Sequence, residues 1–147
     1  MNDSEAVALK LWIVLARAFG AVEARAAEDV ARHGLTLAEF AVLEALYHKG
    51  PLLLGDLQRK ILVSSGGVTY LVDRLEERAL VRRVPSEQDR RARYAELTED
   101  GVALMRRVFP EHAACISELA AALEPAQQAQ AIHLLKQLGV HAAAESV

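Results

Sequence analysis

Residues 80–97 are the segment that most limits how this chain can fold. Leu80–Pro85 and Ala92–Leu97 are two extended runs, and the polar turn Ser86–Arg90 separates them. Two such runs around a polar turn predict a β-hairpin. Helical apolar periodicity occupies the chain on both sides, so we expect a mainly α protein with one small hairpin.

The first half of the chain predicts three helices and a short extended run. Residues 4–32 form a long helix whose apolar stripe is wider than one neighbouring helix requires, which indicates burial on two sides, as in a dimer. Thr36 and Glu39 make a capping box for a second helix, which ends at Lys49-Gly50-Pro51. The extended run Leu52–Leu54 precedes a short helix near 55–61.

A fourth helix is predicted from an N-cap at Ser64 to about Arg78. Thr98 opens a last helical region, in which Pro110 is expected to kink or break the helix. Pro125 starts the final helix, predicted to run to about Gly139. Two short helices before a hairpin with a charged tip have the layout of a winged helix-turn-helix, in which the second of them is the recognition helix.

Basic charge is confined to the middle of the chain. Residues 53–95 hold nine basic and six acidic residues, whereas 1–52 and 96–147 have net charges of −2 and −4. A polyanion such as nucleic acid would meet this middle segment. The alternative is that the charge difference is ordinary scatter.

The start of the recognition helix carries small and polar residues, which a helix needs where its N-terminus approaches base edges and phosphates. These residues are Ser64, Ser65, Gly66, Gly67 and Thr69. Two glycines in a first helical turn cost about 1 kcal/mol each relative to Ala, which indicates close approach to a partner. The alternative is a glycine-rich loop and a later helix start.

Arginines on the helix and the hairpin are the candidate phosphate and groove contacts. Tyr70, Arg74 and Arg78 share one helical edge, with Arg74 alternatively paired to Asp73 or Glu77. In the turn Asp89-Arg90-Arg91, we expect Asp89 to hydrogen-bond the Arg91 guanidinium and aim it at an A·T-rich minor groove. Arg82 and Arg83, at the hairpin stem, are assigned to backbone phosphates. An exposed salt bridge worth about 0–1 kcal/mol is the alternative for the turn.

Three segments resemble the MarR family of bacterial transcription regulators over nearly the whole chain: LTLAEFAVLEAL, VSSGGVTYLVDRLEERALVRR and DRRARYAELTEDG. The most specific part is DRR followed by L-T-x-x-G. The resemblance implies a single domain over 1–147, with dimerisation helices in 1–34 and 99–147 and a winged helix-turn-helix lobe in 35–98. It implies a homodimer on a pseudo-palindromic double-stranded operator, with the recognition helix in the major groove and Arg91 in the minor groove.

The resemblance also implies a repressor that releases DNA on binding a small phenolic or on thiol oxidation. Tyr70 and Ala79 depart from the family, which commonly has Arg and Gly at these positions. Tyr70 together with RYAELT and FPEH resembles a subgroup that includes catechol- and quinone-responsive repressors. Family pockets lie between the dimerisation helices and the DNA-binding lobe.

Five residues are assigned to such an effector pocket, namely Trp12, Arg17, Phe40, Phe109 and His112. Arg17 would bind the carboxylate of a phenolic acid against apolar walls. The alternative is that the three aromatic residues belong to the core and the charged residues are solvated.

Other sequence features restrict the class of protein. Cys115 is the only cysteine, so an intrachain disulfide is excluded, and a packing role is favoured over a redox switch. No metal site, cofactor fingerprint, catalytic constellation, signal peptide or membrane span is predicted, so we expect a cytoplasmic protein that is not an enzyme. Two alternatives remain: a winged-helix protein-interaction module without DNA binding, and a redox-sensing regulator using Cys115.

Overall fold

The structure is a computed structural model that describes residues 1–61 and 67–145. The chain forms two compact units, Met1–His112 and Ala113–Val147. Its elements in chain order are α1 (Asp3–Ala31), α2 (Leu37–Lys49), β1 (Leu52–Leu53), α3 (Leu54–Lys60), α4 (Val68–Glu77), β2 (Val81–Pro85), β3 (Arg93–Leu97), α5 (Glu99–Ala120) and α6 (Pro125–Ala144). This order confirms the predicted mainly α fold with a small β-hairpin wing.

Local sequence signals set the ends of α2. The Thr36 hydroxyl accepts the Glu39 N–H at 3.1 Å, and the Glu39 carboxylate accepts the Thr36 N–H at 3.2 Å, so the predicted capping box is formed. Gly50 ends the helix at φ 75° and ψ −162°, a conformation that is essentially restricted to glycine. Pro51 then prevents the helix from continuing.

The predicted hairpin is confirmed, and β1 extends it to a three-stranded antiparallel sheet with the strand order β1-β3-β2. Leu52 pairs with Ala95, and Arg83 pairs with Ala95 from the other side. Residues that pair across antiparallel strands share a face of the sheet. Because Ala95 is fully buried, Arg83 lies on the core side of the wing, whereas Arg82, paired with Glu96, lies on the opposite side.

The start of the recognition helix differs from the prediction. Helix α4 begins at Val68 with Gly67 as its N-cap, so Ser64 is not the N-cap and Gly67 does not lie in the first helical turn. The Gln58 side chain, from α3, accepts the Val68 N–H at 3.1 Å and so supplies the capping contact from another element. This is the alternative of a later helix start. Ser64, Ser65 and Gly66 lie outside the described residues.

The core of the first unit lies between α2, α4, the sheet and the start of α5. The apolar face of α4 is buried as predicted, at Val68, Leu71, Val72 and Leu75. These side chains pack with Phe40, Leu43 and Met105, among others. Burying the apolar face leaves the opposite side of α4, with Thr69, Tyr70 and Arg74, exposed.

The sequence predicted a kink or a break at Pro110; α5 continues through this residue, so the predicted break is wrong. Proline removes one helical N–H, so the carbonyl of Arg106 loses its usual partner. Helix α6 begins at Pro125 as predicted but ends at Ala144, five residues later than Gly139. No helix in the described part of the chain has the length and apolar character that crossing a membrane requires.

Candidate nucleic-acid interface

Three polar side chains project from the exposed side of the recognition helix. Thr69 lies in its first turn, and Tyr70 and Arg74 follow on the predicted helical edge, with Tyr70 58% exposed. The Arg74 guanidinium lies 5.8 Å from the centre of the Tyr70 ring, a cation–π geometry. The Tyr70 hydroxyl raises the pKa of Arg74. Arg74 therefore contacts Tyr70, whereas the sequence offered Asp73 or Glu77 as its alternative partners.

Arg78, which the sequence places on the same edge, has a different position. It is the C-cap of α4, and its guanidinium donates to the Gly34 carbonyl at 2.9 Å and to the Glu39 carboxylate at 3.1 Å. Glu39 is buried, so this ion pair also balances a charge inside the lobe. Arg78 thus connects the end of the recognition helix to the start of α2, and its predicted phosphate contact is not favoured by this geometry.

The turn of the wing is held by hydrogen bonds from backbone N–H groups to side-chain oxygens. The Ser86 hydroxyl accepts the N–H groups of Gln88 and Asp89, each at 3.3 Å. The Asp89 carboxylate accepts the backbone N–H of Arg91 at 2.9 Å, so Asp89 fixes the backbone of Arg91, whereas a bond to its guanidinium was expected. The side chains of Arg90 and Arg91 are exposed at this tip.

The two arginines of the hairpin stem have different surroundings. Arg82 is exposed and pairs with Glu96 across the strands at 2.6 Å. Arg83 is only 23% exposed and forms ion pairs with Asp73 and Glu76 of α4. Burial lowers the pKa of the Arg83 guanidinium, but the hydrogen bonds that it donates to both carboxylates, together with their negative charges, outweigh burial and raise the pKa overall. The phosphate contact assigned to Arg83 is therefore at odds with its position against the recognition helix.

A second arginine cluster was missed at the sequence level. Arg59, Arg91 and Arg93 line one concavity of about 340 Å³ between α3 and the segment where the wing turn enters β3. Arg59 also forms an ion pair with Asp56 in α3. The only sequence signal was the general excess of basic charge in 53–95, because residues more than thirty positions apart meet here through the sheet.

The residues assigned to the effector pocket do not all meet. Phe40 and His112 come together, with ring centres 4.4 Å apart, and both line a concavity of about 200 Å³. Trp12 is 65% exposed and Arg17 is also exposed, and neither lines this concavity. Phe109 packs against His48 at 4.6 Å, at the other end of α2. Trp12, Arg17 and Phe109 thus do not line this concavity, and their assignment to an effector pocket stays a prediction.

Residues that the sequence did not indicate complete the concavity. Its apolar walls come from α1 and α2, and Glu23 and Glu44 add two carboxylates; the apolar lining residues are Phe19, Val22, Ala26, Leu37 and Ala41. Cys115, on α5, is a free and partly buried thiol. Within the described residues, no three His, Cys, Asp or Glu side chains are grouped as a metal site requires.

Comparison with known proteins identifies this winged helix. Residues 33–92 match the sequence pattern of the MarR family. Over 134 residues the chain is 42% identical to the HTH-type transcriptional regulator MhqR of Bacillus subtilis (strain 168), an alignment that covers 91% of this chain and 92% of that protein. The chain belongs to the MarR family. It is thus a DNA-binding transcription regulator and not an enzyme, which favours DNA binding over the protein-interaction alternative.

Solved MarR-type structures share the fold over most of the chain. AbsC, a MarR family regulator from Streptomyces coelicolor, is 26% identical and superposes with a TM-score of 0.85, covering 98% of this chain and 97% of AbsC. BpsR from Bordetella bronchiseptica is 27% identical with a TM-score of 0.78, covering 88% of this chain and 98% of BpsR. The DNA binding of BpsR is regulated by 6-hydroxynicotinic acid.

Proposed function

We propose that this MarR family member is a homodimeric repressor of a pseudo-palindromic operator, and that a neutral single-ring phenol or quinone releases it from DNA. The observation that carries the proposal is that one lobe exposes two surfaces: an edge of the recognition helix and the arginines at the tip of the wing. Thr69, Tyr70 and Arg74 form the edge, and Arg90 and Arg91 form the tip. A helix in the major groove and an arginine in the adjacent minor groove need these two surfaces.

Arg91 is the residue we assign to the minor groove. Its backbone is held by Asp89, so the turn loses little conformational entropy when it binds, while its side chain is free to enter the groove. Thr69 and Tyr70 are assigned to base edges and Arg74 to a phosphate or groove edge, since all three lie on the exposed side of α4. Ser64, Ser65, Gly66, Gly67, Arg82 and Arg90 remain assigned to the same interface.

Selection of operator sequences from a random double-stranded library tests the proposal. The bound sequences are expected to share two half-sites with centres about 10 bp apart, one helical turn. Arg91→Gln is then expected to weaken binding most at operators whose flanking minor groove is A·T-rich, since that groove attracts an inserted arginine. Arg107→Gln, an exposed arginine of α5, controls for the change in net charge. Failure to enrich any sequence would refute the proposed function.

Dimerisation is supported by apolar side chains that a single copy of the chain leaves exposed. Along α1 the exposed set includes Val7, Leu11, Trp12, Val14 and Phe19, and along α6 it includes Ile132, Leu134, Leu135, Leu138 and Val140. Helix α6 has no buried residue of its own, so its apolar side chains lack the burial that stabilises a surface helix. A second copy of the chain would supply that burial for both helices.

The proposed ligand site is the concavity at Phe40 and His112. At about 200 Å³ it is smaller than the roughly 300–1,000 Å³ of sites for drug-sized ligands, which favours a single ring. Glu23 and Glu44 line it and Arg17 does not, so a carboxylate-bearing ligand would meet like charge there. We therefore favour a neutral phenol or quinone over the phenolic acid inferred from the sequence. The regulation of BpsR by 6-hydroxynicotinic acid supports a single-ring effector, although that compound is itself a carboxylic acid.

A thermal-shift titration separates the ligand classes. Catechol and benzoquinone are expected to raise the melting temperature and to release operator DNA, whereas benzoate is expected to do neither. Ala41→Leu narrows the concavity and should abolish the response, while Ala103→Leu, on the exposed side of α5, should preserve it. Cys115→Ala should also respond like the wild type. If Cys115→Ala loses the response and Ala41→Leu keeps it, the effector acts through the Cys115 thiol and not through the proposed ligand site.

A further inference from the structure

Arg83 makes four contacts with the recognition helix from the neighbouring strand β2. Its Nη2 atom lies 2.8 Å from the Asp73 carboxylate, and its Nη1 atom donates to Glu76. The Glu76 carboxylate also accepts the backbone N–H of Arg83 at 3.2 Å, and Nη2 lies 3.4 Å from the Thr69 carbonyl. Asp73 and Glu76 lie one turn apart on the helix, so the guanidinium spans the side of α4 that faces the wing.

The surroundings of this ion pair differ from those of an exposed salt bridge. Arg83 is 23% exposed on its side chain and Glu76 is 34% exposed, so solvent screens the pair only in part. A guanidinium with two carboxylate partners is also held in direction as well as in distance, because its donors form a rigid planar fork. We call Arg83 and its two carboxylate partners, Asp73 and Glu76, the Arg83 bridge.

We infer that the Arg83 bridge is a positioning device for DNA recognition, which sets the wing relative to the recognition helix so that both enter their grooves together. The inference rests on the proposed function. The bridge begins two residues before the end of β2 at Pro85, after which the turn with Arg91 follows. On α4 it is held by Asp73 and Glu76, and the Arg83 guanidinium also reaches the carbonyl of Thr69 in the first turn. It therefore joins the two parts of the lobe to which the groove contacts are assigned.

Fixing the recognition helix and the wing relative to each other raises the affinity for a specific DNA site, because a misplacement of about 1 Å weakens every directional contact. Non-specific binding depends on phosphate charge, and it tolerates a loose geometry. A positioning residue is thus expected to change the ratio of operator affinity to non-specific affinity. A phosphate contact is expected to change both affinities together and to lower the salt dependence.

The decisive variant removes the bridge without leaving unpaired carboxylates. Arg83→Met keeps the packing of the alkyl chain and removes its donors, and Asp73→Asn with Glu76→Gln removes the two negative charges. In this triple variant we expect the operator-to-non-specific affinity ratio to fall about tenfold or more, with the salt slope unchanged. Arg83→Lys can reach one carboxylate, so its ratio of operator affinity to non-specific affinity is expected to lie between those of Arg83→Met and the wild type.

Each outcome has a distinct meaning. If the triple variant keeps the wild-type ratio of operator affinity to non-specific affinity, the inference is overturned. Arg83 would then only neutralise the two carboxylates of α4, without any effect on recognition. A salt slope that falls by about 0.9 in Arg83→Met alone would also overturn it, since Arg83 would then be a phosphate contact. If Arg83→Met does not fold, Asp73→Asn, at a carboxylate that is 54% exposed, gives the same ratio measurement. Absence of any operator for the wild-type protein would refute the proposed function itself.

Discussion

The Nδ1 atom of His112 on α5 lies 3.1 Å from the Oδ2 atom of Asp29 on α1, although 83 positions separate the two residues. Asp29 is 5% exposed, and its other carboxylate oxygen accepts a hydrogen bond from Arg32. His112 also packs on Phe40, so one imidazole connects a buried carboxylate to the wall of the proposed ligand site. Next to this pair, Nε2 of His33 lies 2.9 Å from Glu111.

The pH dependence of stability follows from the charge state of Asp29. Burial raises the pKa of this carboxyl group, but hydrogen bonds and charges from Arg32 and His112 outweigh burial and place it below its ordinary value. A carboxyl group whose pKa is lower in the folded state stabilises the fold above its unfolded pKa of about 3.9, and the contribution disappears as the pH falls through the folded value.

Asp29→Asn is therefore expected to lower the free energy of unfolding at pH 5–7. Below about pH 4 the difference in this free energy between the variant and the wild type is expected to shrink. Urea unfolding at a series of pH values and one fixed protein concentration measures both effects. Glu28→Gln is the matched control, because Glu28 is adjacent but 77% exposed. A stability difference between Asp29→Asn and the wild type that stays constant down to pH 3 would contradict the assignment.

Gly101→Ala is expected to lower the free energy of unfolding by about 1–3 kcal/mol, as overpacked positions do. A Cβ atom at this position would lie 2.1 Å from the Leu80 carbonyl oxygen, so the backbone must shift. The Thr98 hydroxyl accepts the Gly101 N–H at 3.0 Å and donates to the Ala79 carbonyl at 2.6 Å, which brings α5 this close to the end of α4. Chemical denaturation measures the change. The comparison variant is Gly55→Ala, where a Cβ atom meets nothing within 4 Å, and equal stabilities of the two variants would disprove the clash.

Ala79→Gly is expected to stabilise the protein by up to about 1.6 kcal/mol. Ala79 has φ 56°, a left-handed conformation that costs an L-residue roughly 1–2 kcal/mol, and the greater unfolded-state entropy of Gly cancels about 0.4–1 kcal/mol of the gain. The Leu80 N–H bonds to the Leu75 carbonyl and the Ala79 N–H to the Glu76 carbonyl, the two bonds of a Schellman motif. Thermal unfolding tests the change. Gly50→Ala, the reverse exchange at a positive φ, should lower the melting temperature, and a fall in Ala79→Gly as well would argue against strain at Ala79.

Leu135→Glu is expected to convert the proposed dimer to a monomer and to abolish tight operator binding. Leu135 is 49% exposed on α6 and lies one turn from Ile132 and Leu138, so the substitution puts a charge in the centre of an apolar stripe. Sedimentation equilibrium measures the mass, and Lys136→Glu on the same helix is the control for added negative charge. Val14→Asp on α1 is expected to act in the same way. A wild-type protein that sediments as a monomer would rule out the dimer.

Local sequence signals predicted the elements of the DNA-binding lobe well. The Thr36–Glu39 capping box, Gly50-Pro51 and the apolar spacing of Val68, Leu71, Val72 and Leu75 each depend on residues within one or two turns. The start of α4 was less predictable, because its capping partner, Gln58, comes from α3. Sequence alone thus determined the type and order of the elements and the apolar face of the recognition helix.

Only the tertiary structure decided what the arginines and the pocket residues contact. Neighbouring Arg82 and Arg83 look equivalent in the sequence, but strand alternation turns one outward and the other onto Asp73 and Glu76. Arg78 finds Gly34 across 44 positions, and His112 finds Asp29 across 83. The period of a helix or strand fixes the face on which a side chain lies. Its partner depends on which distant element packs against that face, and the fold of the whole unit sets that packing.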